Sequence, residues 1–165
     1  MKTLFLVRHA KSSWENFRLS DNERPLSERG ERDAPRMGKR LASRGVRPDI
    51  LISSPALRAH STAMKIAAEI GYPEEDIQMK AKLYFEGFPA MLDIIHSINS
   101  NVDTAMLFGH NPTMTRAVNT LAREDIGNVP TCGIAEIQFD VESWQDVDMG
   151  LGTIQLFDYP KRIDD

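Results

Sequence analysis

Short apolar runs, each closed by a polar turn, recur along this 165-residue chain. Lys2 to Val7, Asp49 to Ser53 and Thr104 to Phe108 are brief and nearly unbroken in apolar character, as strands buried on both faces are. Between them lie longer stretches with helical spacing. Ser27 is a plausible cap with Glu28 and Glu31 in a first turn, and Met37 and Leu41 share a face before Gly45 stops the helix. Pro35 interrupts this stretch, so the helix is expected to begin or bend there. Ser54-Pro55 reads as a cap followed by proline at the first helical position, with Ala56 to Ile70 helical, Leu57, Met64 and Ala68 near one face, and Gly71 at the end. Ile77 to Leu83 reads as a short strand and Pro89 to Ile98 as a helix. Asn111-Pro112 repeats the cap-and-proline start of a helix that reaches about Leu121. Ala135 to Val141 and Gly152 to Asp158 alternate apolar and polar positions, as a late pair of antiparallel edge strands does. This order predicts an α/β fold: a three-layer α/β/α sandwich with a mainly parallel central sheet.

The length fits one domain covering residues 1–165. Hydrophobic residues make up 41% and charged residues 27%, an ordinary globular balance. The net charge of −4 argues against broad nucleic-acid binding, so any cationic pocket has to be local. Cys132 is the only cysteine, which excludes an internal disulfide and suits a small buried side chain. The N-terminal apolar run is too short for a signal peptide and no stretch is long enough to span a membrane, so a cytoplasmic protein is expected.

The chemistry sits where the apolar runs end. Arg8-His9-Ala10 follows the first, Ser54-Pro55 leads to Arg58 after the second, and Gly109-His110-Asn111-Pro112 follows the third. In an open parallel sheet, ligands bind outside the carboxyl ends of the strands. Two arginines and two histidines would then meet in one crevice. Guanidinium groups grip phosphate oxygens in a fork, and a neutral imidazole can attack phosphorus. His9 is the candidate nucleophile, Arg8 and Arg58 the candidate charge stabilisers, and His110 a further phosphate contact. The arginines supply the positive charge, so neither a metal nor a cofactor is required. A cysteine-based phosphatase would need an arginine six residues after Cys132, where Gln138 stands, and Asp146-Val147-Asp148 lacks the strand an aspartate-based one needs. His60 and His96 have no partners at ligand spacing. Trp14 either lines the pocket mouth or packs over the first strand.

The chain resembles the histidine phosphatase superfamily, the phosphoglycerate mutase-like fold, over nearly its whole length. Four segments carry the likeness: Arg8-His9-Ala10, Arg24-Pro25-Leu26-Ser27-Glu28-Arg29-Gly30, Ser53-Ser54-Pro55-Ala56-Leu57-Arg58-Ala59, and Gly109-His110-Asn111-Pro112. The short length resembles the SixA-type phosphohistidine phosphatases. The resemblance implies that His9 is phosphorylated and that Arg8, Arg58 and His110 form the phosphate pocket. Two departures stand out. In the mutase branch a phosphate-contacting asparagine lies six residues after the histidine; here that position is Glu15, and Asn16 comes one residue late. Many relatives also place a glutamate after the third strand as general acid, for which Glu86 and Asp21 are the candidates here. An alkoxide leaves poorly unprotonated, whereas the P–N bond of a phosphohistidine is weaker. The expected partner is therefore a phosphorylated protein carrying phosphohistidine; the alternatives are a small phosphorylated metabolite, such as a sugar or nucleotide phosphate, and a silent phosphate-binding protein on the same fold.

Overall fold

A computed structural model describes residues 1–162. Its strands are β1 (Lys2–Arg8), β2 (Ile50–Ser53), β3 (Gln78–Met79), β4 (Thr104–Gly109), β5 (Ile134–Phe139) and β6 (Gly152–Asp158). Its α-helices are α1 (Glu28–Ser43), α2 (Leu57–Ile70), α3 (Phe88–His96) and α4 (Thr113–Ala122). The sheet order is β3-β2-β4-β1-β5-β6, with β3, β2, β4 and β1 parallel and β5 and β6 antiparallel to their neighbours. This is the expected mainly parallel α/β/α arrangement, with its antiparallel pair at one edge.

The apolar runs are continuous because both sheet faces are covered. Leu4, Leu6, Ala105 and Leu107 join the core beneath α3 and α4, while Phe5, Val7, Met106 and Phe108 join the one beneath α1 and α2. The central register brings the strand ends level: Arg8 pairs with Gly109, and Ser53 with Phe108. The ladder then runs one residue further, with the His9 amide donating to the Gly109 carbonyl (3.0 Å) and the Ser54 amide to the Phe108 carbonyl (2.9 Å). Three adjacent parallel strands therefore release His9, Ser54 and His110 side by side.

Several local expectations are corrected. Helix α1 runs through Pro35 from a Ser27 cap whose hydroxyl accepts from the Gly30 amide (3.2 Å). Packing of Ala34, Met37 and Leu41 outweighs the one backbone donor a proline removes. Helix α2 begins at Leu57, so Pro55 lies outside it. Its stripe of Leu57, Met64 and Ala68 points outward; Ala59, Ala63, Ile66, Ala67 and Ile70 are buried instead. That face packs on α1, which comes close enough to need a glycine: a Cβ on Gly38 would stand 3.2 Å from the Ile66 Cα. Ile77 to Leu83 is a strand only at Gln78–Met79, followed by a 3₁₀ turn at Ala81–Leu83. At α4 the cap is Pro112, while the Asn111 carboxamide oxygen accepts from the Thr115 amide (3.2 Å) and hydroxyl (2.9 Å).

The loop between β1 and α1 is fastened at its two ends. Ser12 bridges to Leu26, and the Lys11 carbonyl accepts from the Ser27 amide (2.8 Å) and hydroxyl (3.1 Å). A Cβ on Gly30 would lie 2.1 Å from that same carbonyl. Gly30→Ala should thus lower stability by about 2 kcal/mol in urea unfolding, although alanine is the better helix former. A variant as stable as the parent would show that this backbone approach is not tight.

Candidate active site

His9 is the first residue beyond β1 and is only 8% exposed. Its Nδ1 stands 2.7 Å from the carbonyl oxygen of Ala10. A carbonyl can only accept, so Nδ1 carries the ring proton and Nε2 keeps its lone pair. The peptide around it is held on several sides. The His9 carbonyl accepts from the Cys132 amide (3.0 Å), and the Ala10 amide donates to Thr62 Oγ1 (3.0 Å), whose hydroxyl donates to the Arg58 carbonyl (2.7 Å). Burial brings the His9 pKa down to about 4; the Ala10 bond pulls it up, and the charges of Arg58, Arg8 and Arg24 add to the lowering. The imidazole is neutral at physiological pH.

Arg58, in the first turn of α2, is 2% exposed. Its fork holds Asp21: Nη1 donates to the backbone carbonyl (2.6 Å) and Nη2 to Oδ2 (2.9 Å). Tyr84 also donates to Oδ2 (2.6 Å). Burial pushes the Asp21 pKa up, but the Tyr84 and Arg58 hydrogen bonds outweigh it and bring the value down to about 2. Asp21 also accepts from Arg24 (3.2 Å), a buried guanidinium that bonds Ser12 Oγ (2.6 Å) and lies 3.2 Å over the Trp14 ring. Trp14 itself is 71% exposed, so it does not pack over β1.

His110 follows β4 and is 2% exposed. Its ring lies 5.2 Å from that of His9, with Phe85 at 4.6 Å and Tyr84 at 5.6 Å between centroids. Its Nε2 meets Ser54 Oγ at 2.8 Å. Burial first, then the neighbouring His9 and Arg58 charges, lower its pKa to about 3. Arg8 donates through Nη1 to the Val129 carbonyl (3.0 Å). Among the described residues, two buried side-chain polar atoms lack a hydrogen-bond partner, Arg8 Nε and His110 Nδ1. The Arg8 charge acts on both His9 and His110. The residues predicted from the strand ends are thus brought together, and Asp21 joins them. Glu86 is exposed and makes no hydrogen bond or ion pair among the described residues. No group of three or more His, Cys, Asp and Glu residues is placed to hold a metal ion among those residues.

The profile of the histidine phosphatase superfamily (branch 1) matches residues 4–83. The chain is 32% identical over 153 residues to an uncharacterised chloroplastic protein of Arabidopsis thaliana, covering 88% of this chain and 70% of that one. The crystal structure of the protein named SixA from Agrobacterium tumefaciens superposes with a TM-score of 0.82 at 28% identity, over 96% of this chain and 98% of the other. The chain belongs to the histidine phosphatase superfamily. It is of the SixA type. The protein histidine phosphatase SixA complexed with tungstate shares the fold, with a TM-score of 0.82 at 21% identity over 96% and 97% of the two chains.

The site also contains residues that no strand end announces. Ser54 reads in the sequence as a cap and as part of a motif, with no role at the site, yet its hydroxyl holds His110. Thr62, Tyr84 and Phe85 carry no motif; the single hint is the serine- and threonine-bearing N-terminal half of α2. Cys132, expected to be a buried small side chain, is buried, and its amide anchors His9. His96 pairs with the Val147 carbonyl (2.7 Å), far in sequence from the crevice, and His60 is half-buried.

Both crevice histidines have folded pKa values below their ordinary 6.5. The unfolded chain therefore binds more protons between about pH 6.5 and 4, and stability falls as pH drops through that window. Asp21 adds a loss of the same sign at lower pH, below about 4. In urea unfolding at pH 7 and pH 5, His9→Asn and His110→Asn should each flatten the pH dependence by roughly 1 to 2 kcal/mol. Equal slopes in parent and variants would show that these imidazoles are not held neutral.

Proposed function

We propose that the protein is a phosphohistidine phosphatase acting on phosphorylated protein. Superfamily membership makes it an enzyme of the phosphatase and mutase type. The observation that carries the reading is the His9 Nδ1–H bond to Ala10, which leaves Nε2 as a free nucleophile among buried cations. Nε2 attacks phosphorus with its lone pair as the bond to the leaving group breaks and takes its electron pair away. The resulting phosphohistidine on His9 is then attacked by water: the P–N bond breaks, the electron pair returns to Nε2, and inorganic phosphate leaves with the water oxygen.

The remaining residues stabilise the charge that spreads over the transferring oxygens. Arg58 has five N–H donors, two of them committed to Asp21, so the rest can face phosphate. Arg8 Nε and, with Ser54 donating to Nε2, His110 Nδ1–H are buried donors that a phosphate would satisfy. Their unmet cost favours binding, since an unpaired buried donor is worth about 1–3 kcal/mol. Positive charge comes from arginine throughout, so the scheme requires no metal or cofactor.

Three observations favour a phosphohistidine substrate. Asp21 is held ionised, so it is no ready proton donor for an alkoxide, and no hydrogen bond among the described residues holds Glu86 toward the crevice. Trp14, Phe17 and Phe85 are exposed aromatics on the same loops that supply Asp21 and Tyr84, a surface suited to a macromolecular substrate. The SixA-named structures share the fold, and one of them is a protein histidine phosphatase.

Aryl phosphate hydrolysis should fall at least about a thousandfold in His9→Ala, and 10- to 100-fold or so in Arg58→Lys, which loses the fork. Residual full activity in His9→Ala removes the nucleophile assigned here. A histidine-phosphorylated peptide should be turned over well ahead of an alkyl phosphate monoester, and a clear preference for the ester overturns the substrate assignment. The acid limb of kcat/KM should lie near pH 4, where His9 gains its proton, in place of the ordinary 6.5.

A further inference from the structure

Beside the crevice lies a cavity of about 350 Å³ whose wall includes Arg8. The other charged groups lining it are Lys11, Arg29 and Lys161, and among the described residues no carboxylate does. Asn128, Thr131 and Tyr159 complete its polar rim, with Arg29 donating to Thr131 Oγ1 (3.0 Å). Four cations on one small concavity are unexpected in a chain of net charge −4. Arg29 is partly balanced by the buried Asp33 (3.4 Å), whereas Lys11 forms no ion pair among the described residues.

The positive charge does not stop at that cavity. Arg29, Arg32, Arg36, Lys39 and Arg40 recur at helical spacing on the outer face of α1, opposite the buried Ala34, Met37 and Leu41. The last four line an open groove with Pro35 and Ser43. Arg40 ties this groove to the first cavity by donating to the carbonyls of Tyr159 (2.9 Å) and Pro160 (3.1 Å), immediately before Lys161. The carboxylates of α1 mostly lie elsewhere or are committed: Glu31 pairs with Lys65 (2.6 Å) and Asp33 with Arg29 and Arg36, leaving Glu28 in the first turn.

We infer that this track, running from Arg8 through Lys11, Arg29 and Lys161 and along Arg32, Arg36 and Lys39, binds an acidic segment of the phosphorylated polypeptide while its phosphoryl group occupies the crevice. The inference rests on the proposed protein substrate and adds what selects it. A second phosphate on a small metabolite would fill only the first cavity and leave the charges of α1 unused. A nucleic acid would need stacking surfaces, and Tyr159 is the one aromatic lining either concavity.

The test reads binding without turnover, so it is independent of the catalytic assignment. A short fluorescein-labelled oligoglutamate is titrated with the protein and followed by anisotropy. Binding should weaken about tenfold or more in Lys11→Gln/Arg32→Gln/Lys39→Gln/Lys161→Gln, and fade as salt rises from about 50 to 300 mM. All four side chains are exposed and Arg29 is retained, so the Asp33 pair and the fold are kept. Aryl phosphate hydrolysis and its inhibition by inorganic phosphate should be unchanged in the variant. No oligoglutamate binding, equal binding by both proteins, or tighter binding of a single-stranded oligonucleotide would each overturn the inference. If the track binds oligoglutamate but no phosphohistidine peptide is hydrolysed, the substrate assignment fails and the acidic docking stands.

Discussion

A single hydrogen bond, from His9 Nδ1 to the carbonyl of its own neighbour Ala10, decides what the crevice can do. An imidazole in water has either nitrogen protonated and exchanges between the two. Here the acceptor is fixed, because the Ala10 amide is bound by Thr62 and the His9 carbonyl by Cys132. The proton is pinned to Nδ1, and burial beside guanidinium groups keeps a second proton off the ring. The same cations that discourage a charged imidazole attract an anionic substrate. One electrostatic arrangement thus keeps the imidazole neutral and the crevice attractive to anions.

That arrangement depends on the parallel register of β2, β4 and β1. Because Arg8 stands level with Gly109 and Ser53 with Phe108, the residues after each strand fall within contact of one another. His110 is steadied by Ser54 from one strand and shares its edge with His9 from another. A slip of one residue in either pairing would turn alternate side chains to the opposite face and separate the two imidazoles. The apolar cores on both sides make such a slip costly, so the precision of the site derives from the packing of residues that never touch it.

The loop between β1 and α1 adds a second layer of control. Trp14 covers Arg24, Arg24 and Arg58 both hold Asp21, and Tyr84 closes the set. Asp21 serves here as a counter-ion and positioner for Arg58: it occupies part of the fork and leaves the rest free. Its ionised state, with Glu86 in solvent, gives the crevice an abundance of positive charge and a shortage of acid. The same loop and helix carry the cations that run outward along α1, so the positive charge of the crevice is continuous with that of the outer face of the helix.

The chain's pattern of apolar runs closed by Arg8-His9, Ser54-Pro55 and Gly109-His110 determined the parallel α/β arrangement, the crevice and its four principal residues. These are local signals: two-faced burial leaves an unbroken apolar run, and phosphate chemistry confines the residue types at its end. Tertiary structure alone decided the rest. It buried the Ala59, Ala63, Ile66, Ala67 and Ile70 face of α2 against α1 in place of the Leu57, Met64 and Ala68 stripe, with Gly38 of α1 allowing the close approach. It carried α1 through Pro35 and shrank the third strand to two residues. It separated Asp21 from Glu86, which read alike as loop carboxylates, by giving one a guanidinium and a phenol and the other only water. It also recruited Thr62, Tyr84 and Cys132, whose contacts lie between residues distant in sequence. Periodicity records which side of an element is buried, but a partner from another element leaves no trace in the spacing of residues along the chain.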